Sequence, residues 1–232
     1  QALAQDPGHA GAHARLGILY SEQGLYHHAY EELAAALERD PFHGMAHYHL
    51  GIICRELGDR KAARDHFWRV RLDPAYNAQG FYCLGEMALA DGEWATAAEL
   101  MLRSLDLNRL HTKAHGMLAL ALRKGRRADE AQEILSHVSS MVDPMDTFIH
   151  AEQWLLDPTE EQQERLMQRV GEDEQVLLEL ACDYAGAEQW EDAIQVLQLW
   201  PGVAAGQPAH AMIYYHLAYY HDKLGHQAEA QS

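Results

Sequence analysis

The chain has 232 residues, of which 48% are hydrophobic, and its 18 Lys and Arg against 35 Asp and Glu give a formal net charge of −17. A chain this acidic argues against duplex DNA or an anionic membrane surface as a partner. The sequence contains no run of about 18 apolar residues, so no membrane-spanning helix is predicted. The three cysteines, Cys54, Cys83 and Cys182, form no CxxC pair, so neither a disulfide framework nor a zinc knuckle is indicated. We therefore expect reduced thiols and a cytoplasmic location.

A period of 34 residues dominates the first two-thirds of the chain. Three series follow it: Gly17, Gly51 and Gly85; Gly24, Gly58 and Gly92; and Ala29, Ala63, Ala97 and Ala131. The first glycine predicts a close approach of one helix to the next, where the alanine series faces it. The second glycine predicts the end of the first helix in a left-handed cap. Asp-Pro pairs such as Asp40-Pro41 predict the end of the second helix.

The period predicts four helix–turn–helix repeats over residues 10–144, with first helices at 10–23, 44–57, 78–91 and 112–124. A single pair of helices cannot bury both of its apolar stripes, whereas a stack of pairs can. The predicted fold class is therefore all-α, a solenoid of stacked antiparallel helix pairs.

The period slips after Pro144. Residues 145–172 are predicted as an irregular helical insertion, with a short helix at about 146–156 and another that begins at a capping box of Thr159 with Gln162. Residues 173–232 are predicted as one further repeat, at 173–200, and a truncated one, joined by the loop PGVAAGQP at 201–208. Residues 1–9 resemble the end of a preceding repeat, so we expect the chain to be a piece of a longer protein.

These motifs resemble the tetratricopeptide repeat (TPR) family over residues 10–144: Leu-Gly, a later Gly and then Ala recur at 34-residue spacing, and Asp-Pro closes some of the units. The chain departs from the family pattern at Arg109, where a proline is usual, and at His13, His47, Phe81 and His115, where a tryptophan is usual. The resemblance implies a right-handed superhelix of helix pairs, whose first helices line an inner face that binds peptides or proteins.

At the inner-face positions of the family the sequence places eleven candidate peptide-binding residues. They are Arg15, Tyr48, His49, Arg55, Tyr82, Glu86, Lys113, Arg123, Tyr215, His216 and Tyr219. The first helices of the four repeats carry five basic and four acidic residues, so they form a relatively positive, aromatic-lined groove. We expect it to bind an extended acidic peptide, a carboxylate or another domain of the same polypeptide. Residues 152–192 hold 13 acids and 2 arginines, which suggests a basic partner there. Assembly into a homo-oligomer stays open.

Pairs of histidines four residues apart recur at the junctions between repeats. The pairs are His9 with His13, His43 with His47, and His111 with His115. This spacing could bind zinc on one helix, but no carboxylate or cysteine recurs with the pairs. We interpret the first histidine as lying near the start of a helix and the second as filling the tryptophan position. No metal and no cofactor is predicted.

No sequence motif indicates catalysis: GxxxxGK, HExxH, GxSxG and GxGxxG are all absent from the sequence. The acid pairs Glu31-Glu32, Glu160-Glu161 and Glu191-Asp192 are expected on exposed helix faces. We therefore predict no catalytic residue and no enzyme activity. The predicted function is a protein–protein interaction and assembly scaffold.

The segments DPMDTFIHAEQWLL, ELACDYAGAEQWEDAIQVL and IYYHLAYYHDKLG resemble a narrower group. Over about residues 30–230 the chain is similar to the C-terminal region of large bacterial proteins in which TPR repeats follow a β-rich, sugar-mutarotase-like domain. This resemblance implies a bacterial origin and an alternative function. The chain would then be an accessory region of a carbohydrate-active enzyme whose catalytic domain lies outside it.

Overall fold

The computed structural model describes residues 9–204 and 211–225, and within these ranges it contains helices and no strand. The helices are α1 (Ala10–Glu22), α2 (Tyr26–Arg39), α3 (Gly44–Glu56), α4 (Arg60–Val70), α5 (Asn77–Ala90), α6 (Trp94–Leu107), α7 (Thr112–Lys124), α8 (Ala128–Met141), α9 (Thr147–Leu156), α10 (Glu160–Val170), α11 (Glu174–Gly186), α12 (Trp190–Leu197), α13 (Pro201–Ala204) and α14 (Ala211–Lys223). The first helices α1, α3, α5 and α7 agree with the predicted ones to within one residue at each end. The predicted all-α repeat solenoid is confirmed.

A residue with a left-handed backbone follows α1, α3 and α5, as the second glycine series predicts, and also α7 and α11, whereas α9 is followed by Asp157 with φ −138°. Gly24, Gly58 and Gly92 have φ of 73°, 80° and 72°. The same position holds Arg126 in the fourth repeat (φ 61°) and Glu188 after α11 (φ 56°), although neither residue is a glycine. The next amide then reaches back to the last turn of the helix: Arg127 N donates to Leu122 O at 2.8 Å.

The first glycine series marks the close contact between the helices of a pair. A methyl group added at Gly51 would lie 2.5 Å from Cε1 of Phe67, and one at Gly17 would lie 2.6 Å from Cγ of Leu33. We expected the alanine series to face these glycines, and Ala29 does so at Gly17, where the added methyl group would lie 3.0 Å from Ala29 O. The larger residue one turn after the alanine fills the space that a glycine leaves.

Residues 145–172 form the helix pair α9–α10. Helix α9 packs against α7 and α8 in the way that α3 packs against α1 and α2. Thr159 Oγ1 accepts a hydrogen bond from Gln162 N at 3.3 Å, so the predicted N-cap of α10 is confirmed. His150 Nε2 in α9 lies 3.1 Å from Pro144 O, and His47 Nε2 in α3 lies 3.0 Å from Pro41 O. The helix pairs α9–α10 and α3–α4 therefore share the same bond from a histidine to the carbonyl of a preceding proline.

The segment PGVAAGQP departs from its prediction as a loop, because Pro201–Ala204 forms one helical turn. Residues 205–208 lie outside the described residues, as do the parts of the first and last predicted repeats at 1–8 and 226–232. In the described part of the chain, no helix is both long enough and apolar enough to cross a membrane.

The chain divides into two compact units. Unit 1 comprises Gln1–Gly85 and Glu99–Arg109, and unit 2 comprises Glu86–Ala98 and Leu110–Ser232. A cluster in unit 1 that includes Leu33, Leu50 and Ile53 is buried to 1% exposure or less. In unit 2, fully buried Leu135 and Ile149 belong to a corresponding cluster between α7, α8 and α9.

Candidate peptide-binding site

Five of the eleven candidate residues lie in unit 1. Arg15 is exposed on α1, and Tyr48, His49, Arg55 and Tyr82 are half-buried on α3 and α5. The Tyr48 ring lies 6.1 Å from that of Tyr76 and meets the His49 ring edge to face at 5.2 Å. Burial lowers the pKa of His49. Tyr48, His49 and Tyr76 thus place three aromatic rings close together in this part of unit 1.

In unit 2, Arg123 has a different environment from the one expected of a groove residue. Its side chain is 13% exposed, and its guanidinium donates to both carboxylate oxygens of fully buried Glu152, from Nη2 to Oε1 at 2.8 Å and from Nε to Oε2 at 2.9 Å. It also donates from Nη2 to Asp192 Oδ2 at 3.0 Å. Burial on its own would lower the pKa of Arg123, but the charge of Glu152, and then that of Asp192, raises it. Arg123 is thus bound inside the fold and does not offer its charge to a peptide.

Two further residues complete this cluster, which we call the buried ion network: Arg123, Lys124, Glu152, Tyr184 and Asp192. Lys124 Nζ lies 2.9 Å from Asp192 Oδ2. Tyr184 is fully buried and donates its hydroxyl to Glu152 Oε1 at 2.8 Å. Burial, and then the charge of Glu152, raises the pKa of Tyr184, which keeps this donor protonated. Two cations therefore neutralise two carboxylates.

The sequence analysis expected the Glu191-Asp192 pair on an exposed helix face, and this expectation is wrong for Asp192. Glu191 is exposed, but Asp192 is 2% exposed. The physical reason is its place in the first turn of α12, beside the cations at the end of α7. A carboxylate is stable in such a buried place because it is ion-paired and hydrogen-bonded.

Lys113 lies at the edge of a small polar cavity. Its Nζ is 2.7 Å from Asp183 Oδ1, an exposed ion pair between α7 and α11. The cavity has a volume of about 180 Å³, and Asp146, Phe148 and Glu179 also line it. Its lining holds three carboxylates and one ammonium group, so its charge is negative.

The three remaining aromatic candidates, Tyr215, His216 and Tyr219, come together in a second cavity, which we call the aromatic cavity. It has a volume of about 320 Å³ between α11, the start of α12 and α14, and Trp190 and Tyr220 also line it. Tyr215 and Tyr219 are 64% and 43% exposed, so a large part of their surface is free to contact a ligand. Of the three cysteines, Cys54 and Cys83 are buried, and Cys182, which is exposed, lines this cavity.

The first histidine of each repeated pair lies at the start of a helix, as the sequence analysis expected. The Nδ1 atoms of His9 and His43 accept hydrogen bonds from Ala12 N and Ala46 N, at 3.1 and 3.4 Å, and so cap α1 and α3. His111 occupies the same cap position before α7, without a side-chain cap bond. Among the described residues, no three His, Cys, Asp or Glu side chains are arranged to hold a metal ion.

Sequence reasoning missed Glu152, Tyr184 and Asp192 of the buried ion network, and Trp190 of the aromatic cavity. The sequence carries one weak signal for the network, since Glu152 is the only Asp, Glu, Lys or Arg in α9. Trp190 does occur at a repeat position, but only the distance of its ring from Tyr220, 5.7 Å between centroids, reveals its place in the cavity.

Comparisons with solved structures support the fold. YrrB, described as a TPR protein with an unusual peptide-binding site, is 20% identical with a TM-score of 0.56, over 92% of this chain and 94% of that one. A tetratricopeptide repeat protein from Parabacteroides merdae is 15% identical with a TM-score of 0.62, over 94% and 88%. The pilus biogenesis factor PilW is 15% identical with a TM-score of 0.55, over 96% and 89%.

No curated protein matches the chain. A family model described as tetratricopeptide repeat matches residues 14–77 and 82–136, just over half of the 232 residues. TPR proteins generally act as non-catalytic scaffolds that bind peptides or proteins. The repeats at this spacing, the left-handed turns within the pairs and this match lead to one conclusion: the chain belongs to the tetratricopeptide repeat family.

Proposed function

We propose that this protein is a non-catalytic interaction scaffold that binds an extended peptide segment of a partner across helix α11 in unit 2. The observation that carries the proposal is a pair of cavities on the two sides of that helix. Glu179 and Asp183, one turn apart, line the polar cavity. Cys182 and Gly186, also one turn apart, line the aromatic cavity.

The size and chemistry of the cavities favour a peptide. Volumes of about 180 and 320 Å³ suit single side chains better than a large cofactor. Exposed tyrosines supply large contact areas and lose little conformational entropy when they bind, which is why they are frequent in binding surfaces. The proposal also follows from the general role of TPR proteins, and it differs from the acidic-peptide hypothesis because Arg123 and Lys113 already pair with carboxylates of this chain.

A random peptide display library tests the proposal directly. We expect selection against the whole chain to enrich peptides whose binding, measured by fluorescence anisotropy, falls about tenfold or more in Tyr215→Ala. The same peptides should protect Cys182 from alkylation by a maleimide, measured by intact mass. Tyr215 is 64% exposed, so its truncation should leave the fold intact.

Tyr30→Ala is the matched control, because Tyr30 is a 45% exposed tyrosine on α2 of unit 1. It should bind the enriched peptides as the wild type does. The proposal fails if no peptide is enriched, or if the enriched peptides bind Tyr215→Ala and the wild type equally and leave Cys182 unprotected.

The narrower sequence resemblance supports a second hypothesis, in which another domain of the same, longer polypeptide covers this surface. It rests on the similarity of segments such as ELACDYAGAEQWEDAIQVL, which includes most of α11 and α12. In that case Cys182 would be protected in the natural polypeptide and reactive in the chain described here.

A further inference from the structure

We propose that the aromatic cavity binds the guanidinium side chain of an arginine in a basic peptide. The inference rests on the proposed function and deepens it, because it names the chemistry of the occupant at this one place. Three observations carry it: the arrangement of the rings, the charge of unit 2 and a cation that already lies on one of the rings.

Two pairs of rings in the cavity are set at steep angles, whereas Trp190 and Tyr220 are tilted at 39° with centroids 5.7 Å apart. Trp190 and Tyr219 meet at 84° with centroids 6.3 Å apart, and Tyr215 and His216 meet at 86° with centroids 5.5 Å apart. Because neither of these pairs is stacked face to face, at least one ring face in each pair is not covered by its partner. The face of an aromatic ring carries negative potential and attracts a cation within about 6 Å of its centroid.

This chain already makes that contact at the edge of the cavity. Lys223 Nζ lies over the Tyr219 ring, 5.0 Å from its centroid. Lys223 itself is not among the side chains that line the cavity. The cavity thus combines ring faces with room for a cationic group.

The charge of unit 2 favours the same occupant. Its residues 86–98 and 110–232 contain 8 Lys and Arg against 23 Asp and Glu, a formal charge of −15 out of −17 for the whole chain. Such a charge attracts basic segments and repels acidic ones. It also disfavours a second copy of this chain as the occupant, since two such units would repel each other.

Arginine fits better than lysine for two reasons. Its planar guanidinium stacks on aromatic faces and is more weakly hydrated than an ammonium group, so less free energy is lost when it leaves water. The cavity also offers an acceptor: His216 Nδ1 donates to Met212 O at 2.8 Å, which makes Nε2 the ring nitrogen that can accept from a guanidinium N–H.

Short peptides with one variable position test this inference. The probes are acetyl-Gly-Ser-Xaa-Ser-Gly-amides with Arg, citrulline, Lys, trimethyl-lysine, Leu, Trp or Glu as Xaa. Citrulline has nearly the shape of arginine without its charge and is the matched control. Binding is measured by the slowing of Cys182 alkylation and by amide chemical shifts. We expect the Arg peptide to bind about five- to thirtyfold more tightly than the citrulline peptide.

Protein variants locate the site. Tyr215→Ala should weaken binding of the Arg peptide about fivefold, and Tyr215→Phe, which keeps the ring, should change it by less than about twofold. Tyr30→Ala should have no effect. Binding should also weaken as salt rises, since part of the attraction is long-range.

Several outcomes would overturn the inference and leave the proposed function standing. They are equal binding of the Arg and citrulline peptides, tighter binding of the Leu or Trp peptide, or tighter binding of trimethyl-lysine, which would indicate a quaternary ammonium site. Protection of Cys182 that rises with protein concentration in the absence of peptide would show a second copy as the occupant. If no probe and no library peptide binds, both proposals fail.

Discussion

The left-handed residue that follows α1, α3, α5, α7 and α11 has the same backbone in each repeat, although it is a glycine in only three of them. Glycine adopts this conformation without strain, whereas other residues lose about 1–2 kcal/mol in it. Arg126 and Glu188 hold φ of 61° and 56° because the helices on both sides fix the turn. The repeat geometry is therefore strong enough to override the preference of a single residue.

Arg126→Gly should stabilise the protein by about 0.5–1 kcal/mol, because relief of the strain exceeds the entropy that a glycine adds to the unfolded chain. The measurement is urea unfolding followed by circular dichroism. Arg126→Ala is the control, since alanine keeps a β-carbon at positive φ, and it should give no gain. Equal effects of the two substitutions would show that the backbone is not strained there.

Helices α3 and α4 meet through a pair of histidines. The Nδ1 atoms of His47 and His66 lie 2.9 Å apart, so one ring donates to the other. His47 Nε2 must carry a proton, because its partner Pro41 O can only accept. In the neutral pair, His47 Nδ1 is then the acceptor and His66 Nδ1 the donor. Protonation of His47 would remove this acceptor.

The pair makes the stability of the protein depend on pH. Burial, and then the charge of His47, lowers the pKa of His66 to about 4, below its usual 6.5. The unfolded chain therefore binds more protons than the folded one between about pH 6.5 and 4, and stability falls as the pH falls through this range. Burial also lowers the pKa of His47, which acts in the same direction.

His66→Gln should reduce this loss of stability by about 1–2 kcal/mol, a value discounted from the full shift because the ring is partly exposed. Glutamine can still donate to His47 but cannot be protonated. The check is urea unfolding at pH 7 and pH 4.5. His27→Gln, whose side chain is 86% exposed, should behave as the wild type does. An unchanged pH dependence in His66→Gln would contradict the assignment.

The elements also show how far the sequence could predict the molecule. The bounds of α1, α3, α5 and α7 followed from the spacing of Gly17, Gly51 and Gly85, because each repeat forms locally and packs on its neighbours. The partners of Arg123 did not follow, since Glu152 and Asp192 lie 29 and 69 residues further along and no periodic pattern links them. The aromatic cavity was half predicted: Tyr215, His216 and Tyr219 stand at inner-face positions, but Trp190 joins them only through the packing of α12 on α14.

At the scale of the whole molecule, most of the negative charge belongs to unit 2. The same unit contains the buried ion network, which joins several of its helices. Arg123 and Lys124 come from α7, Glu152 from α9, Tyr184 from α11 and Asp192 from α12. A buried network of this kind is stable only when every member has its partner. Removing one member therefore costs a large amount of folding free energy, because a buried charge is left unpaired. This is true even though well-packed apolar side chains in place of the whole network could stabilise the fold equally well.

Arg123→Met should destabilise the protein by about 3–5 kcal/mol, because Glu152 loses its cation inside the fold and Asp192 keeps only Lys124. The measurement is thermal and urea unfolding. Arg103→Met is the control: Arg103 forms an exposed pair with Glu99, and its loss should cost less than about 1 kcal/mol. The triple variant Arg123→Met, Glu152→Gln, Asp192→Asn should recover part of the loss. Similar effects of Arg123→Met and Arg103→Met would contradict the role given to the network.

The same network has a consequence for how this protein can change over evolution. Arrays of near-identical repeats grow and shrink by duplication or deletion, because each module fits against any other. Here Arg123 needs acids supplied by the next two helix pairs. If one of these helix pairs were duplicated, deleted or exchanged, a charged side chain would be buried without its ion-pair partner. The order of modules from α7 to α12 is thus locked, and length variation is expected in the more uniform repeats that precede them.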